Sequence, residues 1–139
     1  MASLLNPYIG LRGTARQAME FYQSVLGGDL TINTFAEFQA AEDPAEADNV
    51  MHSQLETPAG FTLMGGDWPA SQPFQSGDTV TICLSGDDET ELRGYWDGLS
   101  KGASIAVPLE AAPWGDFYGS LTDQFGVVWQ VNIAASRPE

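Results

Sequence analysis

The chain carries one sequence plan twice, and this internal duplication restricts the possible folds more than any other feature. The segment TARQAMEFYQSVLGG recurs as DETELRGYWDGLSKG at a spacing of 74 residues, which aligns Phe21 with Tyr95. The segments SQLETPAGFTLM and GSLTDQFGVVWQ are 66 residues apart, so that Gly60 and Gly126 coincide. Because a solenoid needs three or more repeats, a plan that occurs twice favours a fold of two paired modules.

Each half has the periodicity of a strand, a helix and three further strands. In the first half, a strand at about 7–12 precedes a helix that opens at Thr14, with Gln17 placed to complete a capping box. Gly27 and Gly28 end this helix, since glycine adopts the left-handed conformation at little cost. Apolar residues at helical spacing predict the buried faces of the two helices: Ala18, Phe21, Tyr22, Val25 and Leu26, then Leu92, Tyr95, Trp96 and Leu99.

The second half repeats this order, and its helix opens with the pair Asp88 and Glu91. The sequence therefore predicts one α+β domain built from two βαβββ modules in tandem, each a sheet with one packing helix. The predicted ranges are 1–139 for the domain, about 5–66 and 78–133 for the modules, and 67–77 for the linker.

Two segments lack a regular pattern. Residues 37–49 are acidic and rich in alanine, which predicts a mobile connection between the second and third strands. Residues 65–78 contain prolines and glycines and join the halves. Their aromatic side chains, Trp68 and Phe74, are costly to expose, so we expect this segment to pack on a neighbouring subunit or on the rim of a cavity.

The charge balance narrows the classes of partner. The chain has 19 acidic and 5 basic residues, for a net charge of −14. Such a chain repels phosphate backbones and anionic lipid head groups, so nucleic acids and membrane surfaces are poor partners. A neutral or cationic small molecule is the expected ligand. The alternative interpretation is that the acidic surface only keeps the protein soluble.

Cysteine usage and the N-terminus bear on the compartment. The chain has one cysteine, Cys83, which excludes an internal disulfide and fits a reducing environment. Its position in TVTICLS predicts a buried, inert thiol. The start MASLLNPYIGL has neither the basic residues nor the apolar run of a signal or membrane segment, so we expect a cytoplasmic location.

Three motifs stand out beside the repeated modules: AMEFYQSVLGG, VMHSQLE and the ending PWGDFYGSLTDQFGVVWQVN, which joins a Trp-Gly loop to an Asp-x-Phe-Gly-x-x-Trp hairpin. Together they resemble the vicinal oxygen chelate superfamily, and within it the PhnB-like (glyoxalase/bleomycin-resistance) group. The resemblance implies curved mixed sheets whose concave sides form a cavity, and a homodimer. Group members are often described as similar to 3-demethylubiquinone methyltransferases, but no glycine-rich strand-to-helix turn for a nucleotide cofactor occurs here.

The resemblance also allows a test for a metal site. Metal-dependent members of the superfamily hold a divalent ion with four side chains, commonly His and Glu, from the first and fourth strands of each module. Carried over through the repeats, these positions are Pro7, Met64, Thr81 and Gln130. None supplies a carboxylate or an imidazole, so we expect neither a bound metal nor another cofactor.

His52 is the only histidine, and it is the candidate general acid or base of a metal-free enzyme. Strand alternation places it on one face with Gln54, and the repeat pairs it with Tyr118. A histidine that is hydrogen-bonded to a neighbouring strand is the simpler interpretation. Asp116 and Glu110 are the candidate acidic residues to orient it, because they lie near Trp114 in the sequence.

The aromatic residues of the second half provide a further candidate feature. Trp114, Phe117 and Tyr118 form a predicted stacking wall for a flat or cationic ligand, or else pack in the core and at its rim. Trp129 alternates with Gln130 and is assigned to the core. The predicted ligand-binding residues are His52, Gln54, Met64, Thr81, Trp114, Tyr118 and Gln130.

Two functions follow as hypotheses. The first is a non-catalytic protein that binds a small molecule without a metal, with sequestration as one purpose of such binding. The second is a lyase, isomerase or dioxygenase of the same superfamily that uses His52 or a non-standard metal site. A dimer whose cavity is filled by side chains is a third possibility.

Overall fold

The structure is a computed structural model that describes residues 3–39, 41, 43–75, 77 and 79–134. The chain divides into two compact units, Met1–Ser76 and Gly77–Glu139. In the first unit, β1 pairs in parallel with β4, β3 is antiparallel to β4 and β2, and the sheet order is β1-β4-β3-β2. Its elements are β1 (Tyr8–Leu11), α1 (Ala15–Leu26), β2 (Asp29–Thr34), β3 (Val50–Glu56) and β4 (Thr62–Asp67).

The second unit repeats this topology. Its sheet order is β5-β8-β7-β6, with β5 parallel to β8 and the other pairs antiparallel. The predicted α+β fold with two tandem βαβββ modules is therefore confirmed. The elements of the second unit are β5 (Ile82–Gly86), α2 (Glu89–Leu99), β6 (Ser104–Ala111), β7 (Phe117–Thr122) and β8 (Val128–Ile133).

The duplication extends to hydrogen bonds in the turns before β4 and β8. Thr57 and Asp123 occupy equivalent positions, and each side-chain oxygen accepts a bond from the backbone N–H four residues later. Gly60 and Gly126 adopt φ values of 93° and 91°, which favour glycine in both turns. The 66-residue spacing of the hairpins thus reflects the same turn formed twice.

The two helices were predicted with different success. All four predicted residues of α2 are buried. In α1, Phe21 and Val25 are only half-buried, whereas Ala15 and Met19 lie in the core. The buried face of α1 is therefore rotated about the helix axis relative to the prediction.

The N-termini of the helices are capped differently. Asp88 caps α2 as predicted by accepting a bond from the Glu91 N–H at 3.0 Å. The capping box predicted at Thr14 is wrong, because the Thr14 side chain makes no capping bond. Instead Asp67, at the end of β4, accepts bonds from the N–H groups of Gly13 and Ala15 at 2.7 and 3.0 Å.

The segment between β2 and β3 is more regular than the mobile connection we predicted. It contains short 3₁₀ helices at Ala36–Phe38 and Pro44–Glu46, and the Ala36 N–H donates to the Ala47 carbonyl at 2.9 Å. Ala40 and Glu42 lie outside the described residues.

The segment after β4 packs on its own unit. The Trp68 N–H donates to the Leu11 carbonyl at 2.6 Å, and the Arg12 guanidinium lies 5.3 Å from the centre of the Phe74 ring. The expected packing of Trp68 and Phe74 is therefore provided by β1 and the residue that follows it, while Ser76 and Asp78 lie outside the described residues. Among the described helices, none is long and apolar enough to cross a membrane.

Candidate functional site

Each sheet packs one face on its helix and turns the other, which we call the open face, away from it. In the first unit, a Cβ atom at Gly65 would lie 3.0 Å from the Met19 sulfur in α1, so Gly65 faces the helix. The neighbouring Met64 therefore belongs to the open face, as does its register partner Gln54. His52 follows by alternation, and all three side chains are half-buried.

His52 makes an aromatic contact on this face. Its ring stacks on Tyr8 with ring centres 5.9 Å apart and planes inclined by 27°. The Tyr8 hydroxyl donates to the Met51 carbonyl at 3.2 Å. Burial, and secondarily the negative charge of Asp67, raise the pKa of the Tyr8 phenol, so it stays protonated at neutral pH.

Two paired glycines make room for aromatic rings on the open face. Gly10 and Gly66 are register partners in β1 and β4. A Cβ atom at Gly10 would overlap the Trp68 indole, and one at Gly66 would overlap the Tyr8 hydroxyl. The absence of both side chains lets Tyr8 and Trp68 lie close to the sheet backbone.

These rings border a cavity of about 300 Å³, which we call the first-module pocket. Trp68 keeps 41% of its surface exposed there, although it approaches the sheet closely. The walls of the pocket include Tyr8, Phe35, Met51, Gly66, Trp68 and Gln72.

Asp67 also borders this pocket, but its carboxylate is occupied by the backbone. One oxygen accepts the two bonds from Gly13 and Ala15, and the other accepts a bond from the Val50 N–H at 2.9 Å. The side chain is 6% exposed. Asp67 therefore joins α1, β3 and β4 and is committed to the fold.

The second unit has an aromatic pair on its open face. A Cβ atom at Gly119 would lie 2.8 Å from the Trp96 ring of α2, so the adjacent Tyr118 points to the open side. The Trp114 and Tyr118 ring centres are 5.5 Å apart, with the planes inclined by 66°. Glu110, in β6, is the register partner of Tyr118.

These three side chains border a second cavity of about 330 Å³, the second-module pocket. The predicted wall needs one correction, because Phe117 alternates with Tyr118 and lies on the helix face. Its ring is contacted there by the Arg93 guanidinium at 5.2 Å. The walls of the pocket include Val107, Glu110, Ala111, Pro113, Trp114 and Tyr118.

Gln130 lies on the open face of β8 beside Ser120 of β7. Its neighbour on the other side is Cys83 of β5, while Thr81 lies just before that strand. The prediction of a buried thiol is wrong, because Cys83 is exposed. Partial desolvation nevertheless raises the pKa of the Cys83 thiol, which disfavours the reactive thiolate.

Asp116 and Glu110, the acidic residues suggested as partners of His52, lie in the second unit. Asp116 is buried and accepts a bond from the Asn132 side-chain amide at 3.1 Å. Glu110 borders the second-module pocket. Both residues belong to the second unit, whereas His52 and its stacking partner Tyr8 belong to the first.

Comparison with known proteins agrees with this architecture. Residues 5–132 match the family model described as 3-demethylubiquinone-9 3-methyltransferase. The chain belongs to this PhnB-like family. The crystal structure of PA1353 from Pseudomonas aeruginosa is similar, with 30% identity, a TM-score of 0.81, and coverage of 97% of this chain and 100% of that one.

Two further structures connect the PhnB-like fold to its superfamily. A PhnB protein from Bacillus cereus is 20% identical, with a TM-score of 0.74 and coverage of 95% of this chain and 100% of that chain. A glyoxalase/bleomycin resistance protein/dioxygenase family enzyme from Burkholderia phytofirmans is 15% identical, with a TM-score of 0.65 and coverage of 96% and 100%. The fold is thus that of the glyoxalase/bleomycin-resistance superfamily.

The metal of some superfamily members is a poor match for the donors present in this PhnB-like chain. On the open faces, the adjacent first-strand and fourth-strand residues are Tyr8 with Met64, and Cys83 with Gln130. A protonated phenol, a thioether, a protonated thiol and an amide do not compensate a hard divalent ion for its lost water. Within residues 3–39, 41, 43–75, 77 and 79–134, no three His, Cys, Asp or Glu side chains form a metal-binding group.

Most walls of the first-module pocket were not predicted from the sequence. Trp68 was placed in a linker, with the rim of a cavity as one of its two expected packing partners, whereas Tyr8, Phe35 and Met51 had no predicted role. A usable signal was present in the strand glycines of YIGL and LMGGD, because glycine inside a strand often marks a close approach by another group.

Proposed function

We propose that this protein binds a small, partly aromatic molecule without a bound metal. The observation that carries the proposal is the first-module pocket, where Tyr8 and Trp68 lie over the paired glycines Gly10 and Gly66. Its volume of about 300 Å³ is at the lower end of the range typical of small-molecule sites. A ring system of one or two fused rings matches this size.

The chemistry of the lining supports a neutral, planar ligand. The Tyr8 hydroxyl is bonded to the Met51 carbonyl, and the Asp67 carboxylate is bonded to three backbone N–H groups. The pocket therefore offers mainly aromatic faces, which stack on flat rings. The net charge of −14 disfavours anionic ligands by general repulsion.

The competing hypothesis is an enzyme in which His52 transfers a proton. His52 stacks on Tyr8, which lines the pocket, and this position is the observation that favours it. In the binding proposal His52 positions Tyr8. If wild type leaves the bound probe chemically unchanged and His52→Gln keeps the wild-type affinity, binding alone is supported. A chemical conversion by wild type that the His52→Gln variant loses supports the enzyme.

We expect Trp68→Ala to weaken the binding of indole, a neutral planar probe, by about tenfold, because one stacking face of the pocket is removed. Isothermal calorimetry with indole, tryptamine and indole acetate provides the measurement. The anionic indole acetate is expected to bind more weakly than the other two.

The matched control for this variant is Phe61→Ala. Phe61 is 37% exposed and lies in the turn before β4, and it does not line the first-module pocket. Its replacement should leave the affinity for indole unchanged. Equal losses in both variants, or an unchanged affinity in Trp68→Ala, would remove the support for this pocket as the ligand site.

A further inference from the structure

We propose that the second-module pocket is a separate site for a methylated ammonium group, such as the head group of choline. This proposal goes beyond the proposed function, because its residues all belong to the second unit and its ligand needs no aromatic ring. The features that carry it are two aromatic rings set at a steep angle and a carboxylate on the adjacent strand.

The ring geometry suits a rounded cation better than a flat molecule. With planes inclined by 66° and centres 5.5 Å apart, Trp114 and Tyr118 pack edge to face, so their rings form a corner and not a pair of parallel plates. A planar ligand stacks on one of these rings only. A tetrahedral methylammonium group contacts both at once, and aromatic faces attract its spread positive charge.

The carboxylate supplies the second attraction. Glu110 is directly opposite Tyr118 in the β6–β7 ladder, and side chains at such positions are neighbours on one face. Both residues border the cavity of about 330 Å³, together with Val107 and Pro113, which provide apolar contacts for methyl groups. A quaternary ammonium group fits this lining because it carries charge but has no hydrogen to donate.

The site is accessible within its unit. Trp114 has 58% of its surface exposed and Val107 has 39%, although both are large apolar side chains. An aromatic side chain kept in water at the mouth of a cavity is costly, and a bound ligand that covers it recovers part of this cost.

The test uses tetramethylammonium and choline, each titrated into the protein and followed through the Trp114 indole N–H signal by NMR. The comparison compound is the neutral carbon isostere of choline, in which a tert-butyl group replaces the trimethylammonium group. We expect saturable binding of both cations and about tenfold weaker binding of the isostere, since a cation–π contact adds roughly this factor.

Variants separate this site from the first-module pocket. Trp114→Ala and Glu110→Gln should each weaken choline binding, by about tenfold and about threefold, and leave indole binding unchanged. Choline binding to these variants is followed by calorimetry. Asp97→Asn, which removes one exposed charge from α2, controls for the general field and should have no effect.

Three results would overturn the cation site. They are an equal affinity for choline and its neutral isostere, no saturable binding of tetramethylammonium, and full choline affinity in Trp114→Ala. Failure of indole binding to respond to Trp68→Ala bears on the proposed function alone, so the two proposals fail independently.

Discussion

Replacing Asp67 by alanine is expected to lower the free energy of unfolding by about 3–5 kcal/mol, because three backbone N–H groups lose a charged acceptor at once. Two of them, from Gly13 and Ala15, lie at the start of α1, and the third is the N–H of Val50 at the start of β3. The negative charge also stabilises the N-terminus of the helix dipole. A loss of this size is a large part of the stability of a typical domain.

Urea unfolding followed by circular dichroism measures this change. Asp67→Asn keeps one oxygen for the helix but faces the Val50 N–H with an amide donor, so we expect a smaller loss of about 1–3 kcal/mol. The control is Asp48→Ala, an exposed position whose replacement should change stability by less than about 0.5 kcal/mol. Similar effects at Asp67 and Asp48 would show that the buried carboxylate does not join α1 to the sheet.

Replacing Asp123 by alanine is expected to cost about 3 kcal/mol of unfolding free energy, because this residue holds both a turn and a core side chain. One oxygen accepts bonds from the N–H groups of Phe125 and Val127 at 2.8 and 3.1 Å. The other accepts a bond from the Trp129 indole at 2.8 Å, and Trp129 is 1% exposed. Without this acceptor the buried Trp129 side chain loses its hydrogen bond to the Asp123 carboxylate.

The duplication provides the matched control for this prediction. Thr57 holds the equivalent turn of the first module, where its hydroxyl accepts a bond from the Phe61 N–H at 3.0 Å. Thr57→Ala should therefore cost only about 1 kcal/mol. Asp123→Thr should be intermediate, since it restores a turn bond but not the bond to the indole. Equal costs for Asp123→Ala and Thr57→Ala, measured by urea unfolding, would contradict this explanation.

The repeated local patterns account for what the sequence predicted well. The strand and helix order, the Asp88 cap and the burial of Trp129 all follow from short-range signals: hydrophobic periodicity, a polar residue before a helix, and alternation along a strand. Each of these signals depends on residues a few positions apart. The alignment of Gly60 with Gly126 also depends on a local signal, because both glycines occupy turn positions with a positive φ.

The incorrect predictions concern positions where the interacting residue is distant in the sequence. The cap of α1 comes from Asp67, more than fifty residues beyond Thr14, so no local pattern could identify it. The register of β5 places Cys83 beside Gln130, and Cys83 is exposed there. The 74-residue spacing of the helices had instead predicted Thr81 at this position.

The candidate site was affected in the same way. Its open-face residues His52, Gln54 and Met64 followed from alternation along the strands. The pocket beside them also depends on Trp68, which belongs to a segment without regular periodicity and packs over Gly10. The contact of Trp68 with Gly10 is a tertiary contact, and neither strand nor helix periodicity predicts it.

The central claim, binding without a metal, is tested most directly by titrating indole into the protein before and after exhaustive chelation, with the metal content of each sample measured. The donors Tyr8, Met64, Cys83 and Gln130 predict the same affinity, within about twofold, in both samples. Loss of indole binding on chelation, with recovery when a stoichiometric divalent ion is returned, would contradict the account.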